Sequence, residues 1–255
     1  MTTEPTRPIP VARRRRGWAA LLLVVGLLGL VLLALDRAAD LVCERAVARA
    51  VQQQQGLSRP PAVSINGFPF LTQAVAGRFE QVDLTAVGVP AAAGLTVDRV
   101  QVRLAGVHAR GADLIAGRTD GLTADRMTIR ALVGYRRIDE VVADRLASDQ
   151  LVVRFGAGGN GRLAVRGTIG SSLGDLSVQG LMRVQLVDGG VRLRLDPGSV
   201  RGLPAAALDL LGPLLDLTIE SPNLVSGVRP TGLAVGPDGI TLTAVGTNVL
   251  LSSLA

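Results

Sequence analysis

From Trp18 to Leu35 the chain is an unbroken apolar run with no charged or polar side chain. As a helix rising about 1.5 Å per residue it would reach about 27 Å, close to the thickness of a bilayer hydrocarbon core. From Asp36 to about Gln55 the pattern takes a helical period. Leu35, Ala39, Val42, Cys43, Ala46 and Ala50 share one face, and Arg37, Asp40, Glu44 and Ala48 lie on the other. This predicts an amphipathic helix continuing from the apolar run and ended by Gly56, Pro60 and Pro61. Beyond Pro61 the period falls to two. Val82, Leu84 and Ala86 alternate with Gln81, Asp83 and Thr85, and Val100, Val102 and Leu104 with Arg99, Gln101 and Arg103. Similar runs follow around Met127–Ala131, Leu151–Phe155, Leu163–Ile169, Leu176–Leu186, Val191–Leu195 and Ile240–Ala244. Asp188-Gly189-Gly190 and Pro237-Asp238-Gly239 read as hairpin turns. Arg136–Leu146 and Pro204–Leu215 read as short helices. The class is α+β with a dominant antiparallel sheet, without internal repeats.

Five arginines and Glu4 lie in residues 1–17, four of the arginines as Arg13–Arg16, against mixed Asp36, Arg37 and Asp40 beyond the run. The positive-inside bias then puts residues 1–17 in the cytoplasm as a basic tail, residues 18–35 across the membrane and residues 36–255 outside as one domain. The alternative is a cleaved signal. Leu32, Asp36 and Arg37 occupy positions where a cleavage site needs small residues, and Ala46-Val47-Ala48 comes too late, so the pattern favours a retained anchor. Cys43 lacks the small neighbours of a lipid-modified cysteine and reads instead as a small core-facing thiol.

Of 27 basic and 21 acidic residues, the part beyond residue 35 keeps 22 and 20, a nearly balanced domain. With 2% aromatic residues it also lacks the basic stripes interleaved with aromatics that bind nucleic acid. A single cysteine excludes an internal disulfide framework. One histidine, His108, and one cysteine make no His/Cys metal cluster, and neither a Walker loop nor a dinucleotide-binding Gly-x-Gly-x-x-Gly between a strand and a helix occurs. The acids fall on polar strand or helix faces without a distinguished pair. The composition therefore points away from an enzyme and implies no metal or cofactor.

The segment Val63-Ser64-Ile65-Asn66-Gly67-Phe68-Pro69-Phe70-Leu71-Thr72-Gln73 holds two of only four phenylalanines, around one proline. Pro69 restricts the backbone on both sides, so the rings are presented rigidly, either to plug the core or to touch a lipid. With Gly77-Arg78-Phe79-Glu80-Gln81-Val82-Asp83-Leu84 after it and an anchor and helix before it, this segment resembles the actinobacterial LmeA-like phospholipid-binding family. The resemblance runs from about Leu35 to the C-terminus. It implies a fold similar to the tubular lipid-binding proteins, with a strongly curved antiparallel sheet wrapped around a long N-terminal helix and enclosing an apolar cavity. It also implies a cell-envelope protein that binds phospholipids, phosphoinositides among them, and supports growth of a lipomannan-like glycolipid. It carries over no catalytic motif.

On the residues themselves, a sheet face of Val, Leu, Ala and Ile suits acyl chains, and arginine suits a phosphate because its planar fork donates two hydrogen bonds. The expected apolar tunnel and its mouth are Phe68, Phe70, Leu71, Phe79, Val82, Leu84, Val100, Val102, Leu104 and Phe155, with Arg78, Arg103 and Arg110 as headgroup candidates. The expected partners are a phospholipid and, through the N-terminal helix, the membrane. The rival reading is a non-enzymatic envelope scaffold with a closed core that binds another protein.

Overall fold

The computed structural model describes residues 15–91, 95–109, 113, 121–146, 151–170, 176–187, 190–202, 217–220 and 227–251. The apolar run and the amphipathic stretch form one helix, α1 (Arg15–Gln54). Strand β1 (Ala62–Asn66), helix α2 (Phe70–Ala76), and strands β2 (Arg78–Pro90), β3 (Thr96–His108) and β4 (Thr123–Gly134) follow. Helix α3 (Tyr135–Leu146) leads to strands β5 (Leu151–Ala157), β6 (Arg162–Ile169), β7 (Leu176–Val187), β8 (Gly190–Arg201) and β9 (Leu217–Glu220). Strands β10 (Val228–Val235) and β11 (Gly239–Leu250) complete the fold.

The expected single sheet is two open antiparallel sheets, one in the order β1-β2-β3-β4-β11-β10 and one in the order β5-β6-β7-β8-β9. The physical reason is that α3 carries the chain away from β4. The next strands then pair only with their sequence neighbours, and β10 and β11 return to the free edge of β4. Strand β10 touches β7, which brings the two sheets together. Helix α3 and the turn at Pro237-Asp238 form where expected. The expected helix over Pro204–Leu215 and the turn at Asp188-Gly189 lie outside the described residues.

Four strands of the first sheet share a crease. The regular pairing lapses at Glu80, Gly106, Asp125 and Asn248, which stand side by side. Gly106 and Asn248 take positive φ, +61° and +50°. A Cβ on Gly106 would stand 2.1 Å from an Asp125 carboxylate oxygen, so only glycine fits beneath that side chain. Because every strand turns over at the crease, residues three apart face the same side. Phe79, Val107, Ala124 and Val249 make one buried row, and Ile65, Val82, Leu104, Met127, Gly246 and Val228 make the next. Cys43, Ala39 and Val47 of α1 and Phe70 and Ala74 of α2 pack on these rows.

The face that α1 turns to the domain differs from the expected one. Val42 is exposed, whereas Asp36 is only 3% exposed. Asp36 Oδ1 accepts a hydrogen bond from Leu71 N at 2.8 Å, and Glu44 Oε1 accepts one from Ile65 N at 2.9 Å. These two acids face the domain because β1 and the start of α2 present backbone N–H groups that need acceptors, and Asp40, between them in the stripe, is turned the same way.

Candidate functional site

Burial on the inner face of the first sheet falls off with distance from α1 and α2. Beyond the two buried rows lies a third, Val63, Leu84, Val102, Ile129, Ala244 and Pro230, in which only Ala244 is fully buried. The fourth, Ala86, Val100, Ala131, Leu242 and Leu233, is half-buried throughout. At about 4.8 Å per strand, a row crossing the six strands is about 24 Å long, and two rows are about 7 Å apart. The result is a half-covered band made only of aliphatic groups and one proline. It offers contact without direction, which is what a saturated chain requires. In the second sheet, Phe155, Val165, Met182 and Leu195 share one face, where Met182 is buried and the others are half-buried.

The structure divides the expected tunnel residues into four groups. Phe70, Phe79, Val82 and Leu104 are core, and the Phe70 and Phe79 rings meet at a centroid distance of 5.9 Å with a 40° tilt. Leu84, Val100 and Val102 sit together in the half-covered band. Phe68 and Leu71 are 62% and 41% exposed at the start of α2, next to a cis Phe68–Pro69 peptide. Phe155 stands apart from all of these on the second sheet. Ile129, Ala131 and Leu242 belong to the band and were not among the expected site residues. Their alternation is visible in the sequence, but their neighbours depend on β11 inserting between β4 and β10.

The headgroup candidates take the opposite side. Arg103 and Arg78 alternate with Leu104 and Phe79, so both project from the polar face, and Arg110 lies outside the described residues. Arg78 approaches Asp125 at 3.7 Å, and His108 Nε2 lies 3.0 Å from the same carboxylate. Arg103 Nε donates to Asp83 Oδ1 at 2.8 Å, and Gln81 and Asn66 donate to Asp83 Oδ2 at 2.6 and 2.9 Å. Partial burial opposes ionisation of Asp83, but the hydrogen bonds from Arg103, Gln81 and Asn66 outweigh it and hold the carboxyl below its ordinary range. Arg99 and Arg130 are not in any such ion pair among the described residues, and with Gln101, Leu132 and Thr241 they line a shallow hollow of about 130 Å³ on this polar face. Among the described residues no three His, Cys, Asp or Glu side chains come together as a metal site.

Arg103→Ala is expected to return the Asp83 carboxyl toward its usual value and to lower stability at pH 7 by about 0.5–1 kcal/mol, the scale of a part-exposed pair. Because the folded-state pKa of Asp83 is depressed, its contribution is complete above about pH 4 and is lost as pH falls through the lowered value. Urea titrations of parent and variant should therefore converge across that acid window. A gap that persists unchanged below it would show that Arg103 acts through packing instead.

A model of the LmeA-like phospholipid-binding family matches residues 34–245, from the end of the apolar run into β11. Comparison with curated proteins and with solved structures finds no significant match.

Proposed function

Because the chain belongs to the LmeA-like phospholipid-binding family, we propose that it holds or transfers a phospholipid by laying the acyl chains along the half-covered band of the first sheet. The observation that carries this reading is the loss of cover from the Phe79 row to the Val100 row, on a face that stays aliphatic throughout. A solid core would cover Leu84, Val102, Ile129, Val100 and Leu242 as completely as it covers Phe79 and Met127. Each methylene taken from water contributes about 0.8 kcal/mol, so ten of them retain a lipid without any polar contact. One leaflet's worth of hydrocarbon, about half of a 30 Å core, is shorter than the band. In this reading the two sheets curl toward each other around the ligand as an apolar tunnel. The headgroup stays at the open rim of that tunnel.

The reading extends to topology. Residues 1–17 lie in the cytoplasm, residues 18–35 cross the membrane and the rest forms an extracytoplasmic domain in the cell envelope. The support is one helix long and apolar enough to cross, with described apolar side chains such as Leu22, Leu27 and Leu30 exposed along it. The retained lipid would include phosphoinositides and serve assembly of an envelope glycolipid of the lipomannan kind, as the family resemblance implies.

Native mass spectrometry of the full chain, released from detergent after incubation with vesicles containing phosphatidylinositol and phosphatidylglycerol, tests the central claim. Phospholipid adducts that survive mild activation are expected. A folded chain that stays empty, and that crosslinks to an envelope protein instead, would establish the scaffold reading in its place.

A further inference from the structure

The acids that follow the apolar run in sequence face the protein. Asp36 is almost fully buried, the Asp40 side chain is 13% exposed, and Glu44 bonds to β1. The other side of α1 stays apolar past Leu35 through Ala38, Leu41 and Val42, all exposed, broken only by Arg37 and ended by exposed Arg45. At about 1.5 Å per residue this carries a lipid-compatible surface about 10 Å beyond Leu35.

Helix α2 is fixed beside that same stretch. Leu71 N is bound to Asp36, and the Arg37 guanidinium lies over the Phe68 ring, 5.3 Å from its centroid. The helix is apolar on two sides. Phe70 and Ala74 face the core, while Leu71 and Val75, one turn apart, face out with Phe68 just before them. Val75 is 91% exposed, more than any other large apolar side chain among the described residues. Three outward apolar residues beside the end of an apolar helix, with one arginine stacked on the aromatic ring, match the pattern of an interfacial anchor.

We infer that Phe68, Leu71 and Val75 insert into the headgroup–acyl boundary of the bilayer that α1 crosses. The domain is then seated directly on the membrane by α2 and does not stand off on a stalk. Arg37 lies at the level of the lipid phosphates, with its guanidinium over the Phe68 ring. The inference rests on the anchored reading of α1 given above.

The full chain is reconstituted into liposomes of phosphatidylcholine and phosphatidylglycerol that carry a spin label either near the headgroup or deep in the acyl chain. A single environment-sensitive fluorophore is placed through Phe68→Cys, Leu71→Cys or Val75→Cys. Leu28→Cys serves as a site within the apolar run, and Arg130→Cys as a site on the polar sheet face. Native Cys43, 1% exposed, stays in place and the unsubstituted chain is the blank. Quenching by the shallow label is expected to be several-fold stronger at positions 68, 71 and 75 than at position 130, with position 28 answering to the deep label. If position 28 is quenched and the three α2 positions behave like position 130, the inference is overturned while the anchor stands. If position 28 also escapes quenching, the anchored reading falls and the inference with it. Shielding of the α2 positions from aqueous iodide without quenching by either lipid label would mean that protein covers the patch, and would equally overturn the inference.

Discussion

Val100→Asp combined with Leu242→Asp is expected to strip the protein of bound lipid while leaving it folded. These residues flank Ala131 in the half-covered row, so each new carboxylate can reach water without breaking the core. Along the band, however, two charges make a continuous apolar contact impossible. If a bound chain loses contact for only four methylenes, the cost is about 3 kcal/mol, or about 200-fold in Kd. The control is Gln101→Asp, one residue along β3 on the opposite face, paired with Arg130. That change should leave the adduct spectrum as it was. Native mass spectrometry gives the lipid-bound fraction, and circular dichroism checks that the sheets persist. A folded double variant that keeps its lipid would move the binding surface off the first sheet altogether.

That prediction could not have been placed from the sequence alone. Val100, Val102 and Leu242 show their alternation plainly, because a period of two needs only local information. Their neighbourhood is non-local. Leu242 meets Ala131 across more than a hundred residues of chain, and the whole second sheet is formed in between. Nor does alternation predict its own interruption. A strict period would put Phe79 on the face of Gln81, opposite Val82, yet Phe79 and Val82 are both buried. The reversal comes from the crease at Glu80, Gly106, Asp125 and Asn248, for which the sequence shows only one glycine among many and one asparagine at a positive φ.

The N-terminal part divides in the same way. The length of α1 was legible, since eighteen uncharged residues run into a further helical period without a breaker before Gly56. The side it turns inward was not. Asp36 and Glu44 look like solvated charges, and what draws them in is a pair of backbone N–H groups contributed from 35 and 21 residues away. Strand β1 and helix α2 are not legible as elements for a related reason. β1 has five residues on a sheet edge, α2 has seven, and the acceptor for an N-terminal amide of α2 belongs to another helix. Segments this short have little intrinsic stability and take their form from what they pack against.

The same division can be measured on the two phenylalanines closest in chemistry and farthest apart in burial. Phe79→Ala is expected to cost about 3–5 kcal/mol, because the ring is 0% exposed and its loss opens a cavity beside Phe70, Val107 and Ala124. Set against a total stability of about 5–15 kcal/mol, this would leave a substantial unfolded fraction near physiological temperature. Phe68→Ala, at a ring 62% exposed, should stay within about 0.5 kcal/mol when the chain is in detergent. Paired urea or thermal unfolding of the full chain reads both values. The outcome also decides what the end of the sheet nearest α2 is for. If Phe79→Ala barely moves the midpoint but lowers the lipid-bound fraction, the row of Phe79 lines a ligand hollow. If the full cost appears in the lipid-free protein, that row is the rigid floor on which α1 and α2 rest, and acyl chains are left to the open rows beyond Leu104.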